Sequence, residues 1–241
     1  MIVGMNLFLL SVVSVIGISA VLWVCGGQTL KTLALIVRIS PYERSVPGGP
    51  TILILGDSTG YGTGTRTNTN SIAGRIGADF SSYSIENNSK NGRAIGELVP
   101  VAQSVSGTYE LILLQIGGND ILQKRNAAAV EAELRTIVET LSDHTEHLVM
   151  ISTGNVGAAS VFHGEEAVTF ERITRDFRVI FNTVAADTQL TFVDLFVERD
   201  VDPFVRDPET YLAFDGLHPS DAGYGAWYET LHPTLEGVLM R

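Results

Sequence analysis

Residues 7–25 (LFLLSVVSVIGISAVLWVC) form an almost unbroken apolar run, and no charged side chain precedes Lys31. At helical rise such a run spans a bilayer core of roughly 30 Å, so it predicts one N-terminal transmembrane helix. A cleaved signal peptide would carry Lys or Arg ahead of the apolar run, and none is present. A lipoprotein signal ending at Cys25 fits poorly with the bulky Val24 before it. The length of the run and its lack of a polar face also disfavour a buried core helix. Residues 29–40 continue as a helix lying at the interface, and Pro41 to Pro50, with Pro47, Gly48 and Gly49 between them, reads as a linker. The expected organisation is therefore an anchor over 1–28, a juxtamembrane segment and linker over 29–50, and a globular domain over 51–241.

Beyond residue 50 the pattern alternates. Short β-branched or apolar runs at Thr51–Leu55, Leu111–Ile116, His147–Ser152 and Leu190–Val193 predict buried parallel strands, with Tyr83–Glu86 a weaker fifth. Between them the period lengthens. Asn126 is placed to cap a helix whose apolar face is Val130, Leu134, Ile137, Val138 and Leu141. Phe170, Ile173, Phe177, Ile180, Phe181 and Val184 repeat at helical spacing further on, a stripe best explained by core packing. Strands alternating with helices predict an α/β domain with a parallel sheet covered on both faces.

Composition changes this picture in three places. Hydrophobic residues make up 45% of the chain and charged residues 18%, enough for a sizeable core. The net charge is -11, yet residues 1–45 carry +2, which leaves -13 on the remainder. So acidic a domain is unsuited to gripping phosphate backbones, and nucleic acid is excluded as a partner. Cys25 is the single cysteine, so neither an intrachain disulfide nor a Cys-rich zinc site is available. Lys31, Arg38 and Arg44 follow the apolar run, and the positive-inside rule then favours a cytoplasmic domain over a secreted or periplasmic one.

Ligands of open parallel sheets bind outside the carboxyl ends of the strands, and this chain places its unusual residues there. Gly56-Asp57-Ser58-Thr59-Gly60 follows the first strand, offering a serine hydroxyl in a tight turn. Gly60, Gly62 and Gly64 suggest a phosphate cradle as a rival reading, but neither GK[ST] nor G-x-G-x-x-G is present. Asp215-Gly216-Leu217-His218-Pro219 supplies a base and a group to fix its tautomer, next to Ser220-Asp221, which reads as a helix start. His144, His147, His163 and His232 lack that context, and His144 and His147 are expected on a surface loop and at a strand start. Gly117-Gly118-Asn119-Asp120 and Asn87-Asn88-Ser89-Lys90-Asn91-Gly92 close two other strands. Either alone is an ordinary turn; together they offer an amide side chain and an unobstructed backbone N–H for an oxyanion. Loops at 63–70, 155–166 and 198–211 are expected to shape the pocket.

These four segments resemble, in order, the sequence blocks of the SGNH hydrolase superfamily (the GDSL-like lipase/acylhydrolase family): GDS at 56–58, N-x-S-x-x-G at 87–92, G-x-N-D at 117–120 and D-x-x-H-P at 215–219. The resemblance spans roughly residues 51–239; Asn91-Gly92-Arg93 departs from the small serine-glycine pair common there. It implies a three-layer α/β/α sandwich, flavodoxin-like, with a parallel sheet of about five strands. It also implies a serine esterase or acylhydrolase in which Ser58, His218 and Asp215 form the triad. Ser58, Gly92 and Asn119 would form the oxyanion hole, with no metal or organic cofactor required. The competing reading is an inactive binding or scaffold module on the same fold. Among enzymes, lipid esters such as lysophospholipids suit a membrane-held domain, carbohydrate O-acetyl esters suit one facing outward, and small aryl or thioesters also remain.

Overall fold

The computed structural model describes residues 30–35 and 38–240. The anchor expected over residues 7–25 lies outside the described residues, among which no helix is long and apolar enough to cross a membrane. Five short strands, β1 (Thr51–Gly56), β2 (Ser84–Asn87), β3 (Leu111–Gln115), β4 (Leu148–Ile151) and β5 (Leu190–Val193), form one parallel sheet in the order β2-β1-β3-β4-β5. Because successive strand side chains point to opposite faces, strands apolar at every position must be covered on both sides. Leu53, Leu55, Ile112, Leu114, Leu148 and Met150 pack under one helical layer and Ile52, Ile54, Leu111, Leu113, Val149 and Ile151 under the other.

The helices run in chain order: α1 (Ser58–Tyr61), α2 (Ile72–Asp79), α3 (Ile95–Gln103), α4 (Gly118–Leu122), α5 (Ala127–Leu141), α6 (Gly164–Asp187) and α7 (Asp221–Leu239). Two single turns, Pro203–Arg206 and Pro208–Tyr211, lie between α6 and α7. Helices α3, α5 and α6 cover the first face, and α2 and α7 the second. The expected caps are in place. Asn126 Oδ1 accepts from the Ala129 N–H at 3.1 Å, and Ser220 Oγ accepts from Ala222 and Gly223 at 3.1 and 3.2 Å. All five predicted apolar positions of α5 are buried, and the aromatic stripe of α6 is core. Phe181 is fully buried, with its ring edge-on to Phe177 and Phe192 at 6.0 and 5.6 Å.

β2 begins one residue later than its apolar pattern suggests. The Ser84 N–H donates to Pro50 O at 2.8 Å, which sets the register Thr51–Ser84 and carries the strand to Asn87. The Pro- and Gly-bounded stretch before β1 is fastened to this edge. Arg44 pairs antiparallel with Ile85, and its guanidinium donates to the carbonyls of Gly77, Phe80 and Tyr83. Composition reports the turn residues of that stretch but not this long-range pairing.

Candidate active site

In this strand order the chain leaves β1 and β3 in opposite directions, opening a crevice at their carboxyl ends. Ser58 opens α1 there. Its predecessor Asp57 caps the turn, with Oδ1 accepting from Thr59 N–H and Thr59 Oγ1, both at 2.8 Å, while the Asp57 N–H donates to Gln115 O on β3 at 3.0 Å. The serine thus stands on a turn pinned to two strands.

The partners arrive on a tight loop just before α7. Leu212 pairs with Pro219, and the Ala213 N–H donates to His218 O at 2.8 Å. Within that closure Asp215 Oδ1 accepts from the N–H groups of Leu217 and His218 at 3.1 and 3.0 Å. Its Oδ2 lies 2.7 Å from His218 Nδ1, and His218 Nε2 lies 3.0 Å from Ser58 Oγ. An ionised carboxylate only accepts, so Nδ1 carries the hydrogen and Nε2 is left to accept from the serine hydroxyl. Gly64 permits the close approach behind this pair. Its φ is +106°, and a Cβ would stand 2.2 Å from Pro219 O and 3.1 Å from His218 Cβ.

Two further strand-end turns complete the rim. Asn119, in α4 after β3, donates from Nδ2 to Arg93 O at 3.1 Å, which leaves its second amide hydrogen for a ligand. Gly92 has φ +80° and no heavy atom within 4 Å of where a Cβ would stand, so its loop needs glycine for the backbone. That loop is held from both ends. Thr63 Oγ1 donates to Asn91 Oδ1 at 2.6 Å, and the Arg93 guanidinium donates to Gly56 O and Asn88 O at 3.2 and 2.5 Å.

Ser58, Gly92, Asn119 and His218 all line one cavity of about 370 Å³, with Asp215 buried behind His218. Leu122, Val156, Leu195, Val197, Phe204 and Trp227 give the cavity an apolar wall. Two of the three loops expected to shape the pocket do so. Residues of 63–70 instead border a separate groove behind the 212–219 loop, because Gly64 packs against Pro219. Among the described residues no group of three or more His, Cys, Asp or Glu is arranged to hold a metal ion. His144 sits in the turn before β4 with Nδ1 2.7 Å from Gly107 O, and His147 directly precedes the strand.

Three further contributors support the site, of which Arg93 and Thr32 carry no local signal in the sequence. Arg93 is buried with only carbonyl acceptors. Asp120, fully buried, accepts from the Ile95 N–H at 3.0 Å and from Arg125 at 2.8 Å, tying α4 to the start of α3. Thr32 Oγ1 donates to Asp215 Oδ2 at 3.1 Å from 183 residues away. Only Asp120 was hinted at, as the last residue of the G-x-N-D segment.

Burial acts on both carboxylates beside His218, with opposite results. It raises Asp57 to about 6, against the hydrogen bonds from Thr59 and the charge of His218. For Asp215 burial also pushes upward, but the His218 hydrogen bond and charge and the two backbone donors outweigh it and hold the carboxyl below its usual range. Asp57 therefore sets a stability dependence. Between about pH 4 and pH 6 the native state keeps a proton that the unfolded chain has released, so stability falls as pH rises through that window. Asp57→Asn keeps the capping oxygen and removes the titration. Thermal or urea unfolding from pH 4 to 8 should show the variant gaining on wild type by roughly 2–3 kcal/mol across this window, then levelling. A difference independent of pH refutes the assignment.

Comparison with known proteins places the chain in a family. The model of the GDSL-like lipase/acylhydrolase family matches residues 54–226. No curated protein matches the chain. Among solved structures, a lipolytic G-D-S-L family protein from Veillonella parvula superposes with TM-score 0.60 at 18% identity, covering 76% of this chain and 96% of its own. A lipase/acylhydrolase from Enterococcus faecalis gives 0.55 at 18%, covering 78% and 96%. An acetylxylan esterase from Geobacillus stearothermophilus gives 0.55 at 18%, covering 83% and 96%. At these identities the structures share the fold, while the family match spans most of the chain. The protein belongs to the GDSL-like lipase/acylhydrolase family of ester-bond hydrolases.

Proposed function

We propose that the protein is a membrane-anchored serine ester hydrolase that cleaves carboxylic esters through Ser58, His218 and Asp215. The observation that carries this reading is the continuous hydrogen-bonded chain Ser58 Oγ–His218–Asp215, at 3.0 and 2.7 Å, opening into the cavity. In the first half-reaction Ser58 Oγ attacks the ester carbonyl while its proton passes to His218 Nε2. Asp215 holds the resulting imidazolium. The tetrahedral oxyanion takes hydrogen bonds from the Ser58 and Gly92 N–H groups and from the second hydrogen of Asn119 Nδ2. Collapse breaks the ester C–O bond, and His218 returns the proton to the departing alcohol. Water then repeats the sequence on the acyl-enzyme, its proton going to His218 and on to Ser58, and the carboxylic acid leaves.

The apolar wall supports a substrate whose acyl group is apolar and longer than acetyl. The anchor reading rests on the apolar run of residues 7–25, with Lys31 and Arg38 following it. Together these favour a lipid ester drawn from the adjoining bilayer over a carbohydrate acetyl group.

Ser58→Ala should abolish hydrolysis of p-nitrophenyl esters and labelling by a fluorophosphonate; full activity in that variant overturns the reading. Asn119→Ala should lower kcat by about 10²–10³, and an unchanged rate removes Asn119 from the oxyanion hole. Each methylene buried contributes about 0.8 kcal/mol, so kcat/KM should climb severalfold per carbon from p-nitrophenyl acetate until the cavity is filled. A maximum at acetate contradicts the apolar-acyl reading.

A further inference from the structure

The chain ahead of the family-matched region, which begins at residue 54, reaches into the site. Residues 30–35 are helical and lie across the loop that carries Asp215. Thr32 lines the cavity on one side of that loop, while Leu35 and Arg38 border the groove on its other side, beside Ala213 and Phe214. Leu35 is 3% exposed, and the Arg38 guanidinium stacks over the Phe214 ring at 5.2 Å. Further along, Ile39 reaches the turn at Gly62, Tyr42 lies against Gly77, and Arg44 pairs with the β2 edge. Thr32 therefore stands at the end of a seated strap, clamped at several points over the domain.

The position of its hydroxyl matters chemically. Asp215 Oδ1 is taken by two backbone N–H groups, whereas Oδ2 is the oxygen that receives His218 Nδ1–H. A donor on Oδ2 at 3.1 Å resists rotation of the carboxylate and so fixes the lone pair offered to the imidazole. The β-branch of threonine restricts χ1 and holds the hydroxyl to this acceptor. Hydrogen bonds to a charged acceptor are stronger than neutral ones, and this one is supplied by an element 183 residues away in sequence.

We propose that Thr32 is a positioning residue of the triad, carried by the N-terminal strap and acting on His218 through Asp215. This inference rests on the triad reading above. It also means that a domain cut at the start of β1 lacks a group its active site uses.

The test uses the full chain in detergent micelles and compares wild type with Thr32→Val, which keeps the shape and removes the hydroxyl, and Thr32→Ser, which keeps the hydroxyl. For a short p-nitrophenyl ester, Thr32→Val should lower kcat about tenfold at little-changed KM, while Thr32→Ser stays within about twofold of wild type. The rate constant for fluorophosphonate labelling, which does not depend on how much protein is folded, should fall by the same factor in Thr32→Val alone. Thr32→Val retaining more than half of wild-type kcat and labelling rate overturns the proposal. So does Thr32→Ser losing as much as Thr32→Val, since packing rather than the hydroxyl would then be at work. Wild type that neither turns over esters nor labels at Ser58 overturns the triad reading and the Thr32 role together. Normal wild-type turnover beside an unaffected Thr32→Val overturns the Thr32 role alone.

Discussion

One imidazole must be held between a carboxylate three residues away and a hydroxyl 160 residues away, and much of the architecture answers to that requirement. The near contact is local. A loop closed by the Leu212–Pro219 pair and by Ala213 N–H to His218 O turns Asp215 back onto its own neighbour. The far contact is global. It needs β1 beside β3 so that the first turn faces the crevice, and α7 packed on the second sheet face so that the loop before it reaches the same crevice. Tyr224 of α7, fully buried and donating to Thr63 O at 2.8 Å, links the two halves directly.

The parts of this arrangement that depend on local sequence were legible in it. Strands apolar throughout announce burial on both faces, and the five-residue stripe of α5 announces the face it buries. Asp215-x-x-His218 is legible for the same reason: its hydrogen bonds close within one loop. What could not be read depends on distant contacts. Thr32 is an unremarkable threonine in an apolar stretch, and only the folded strap brings it to Asp215. Arg93 looks like a surface cation, yet its guanidinium is buried against Gly56 O and Asn88 O and steadies the turn that presents Gly92. The segment from Pro41 to Pro50 has linker composition because Pro and Gly set backbone turns; that composition is silent on Arg44 reaching the carbonyls of Gly77, Phe80 and Tyr83.

Asp57 and Asp215 show how the site separates two like groups. Both are about 1% exposed, so desolvation favours the neutral acid in each. Donors decide the outcome. Asp57 receives two from Thr59, both on one oxygen, whereas Asp215 has the ring N–H and charge of His218 at Oδ2 and two backbone N–H groups on Oδ1. Asp215 is thereby held below its usual range beside His218, while Asp57 caps the turn that carries Ser58.

The polar lining of the cavity and most of its apolar lining consequently sit on different segments. Ser58, Gly92 and Asn119 stand on short turns pinned to neighbouring strands, which gives them rigid support. The apolar wall comes from longer stretches, 154–159 and 195–204 among them, packed against Trp227 of α7. A side-chain change at Val197 or Phe204 reshapes the cavity without passing through any hydrogen bond that places Ser58 or His218. The strap is a third segment: through Thr32 it contacts Asp215 and also lines the cavity. Thr32 thus joins the strap directly to Asp215, the carboxylate that partners His218.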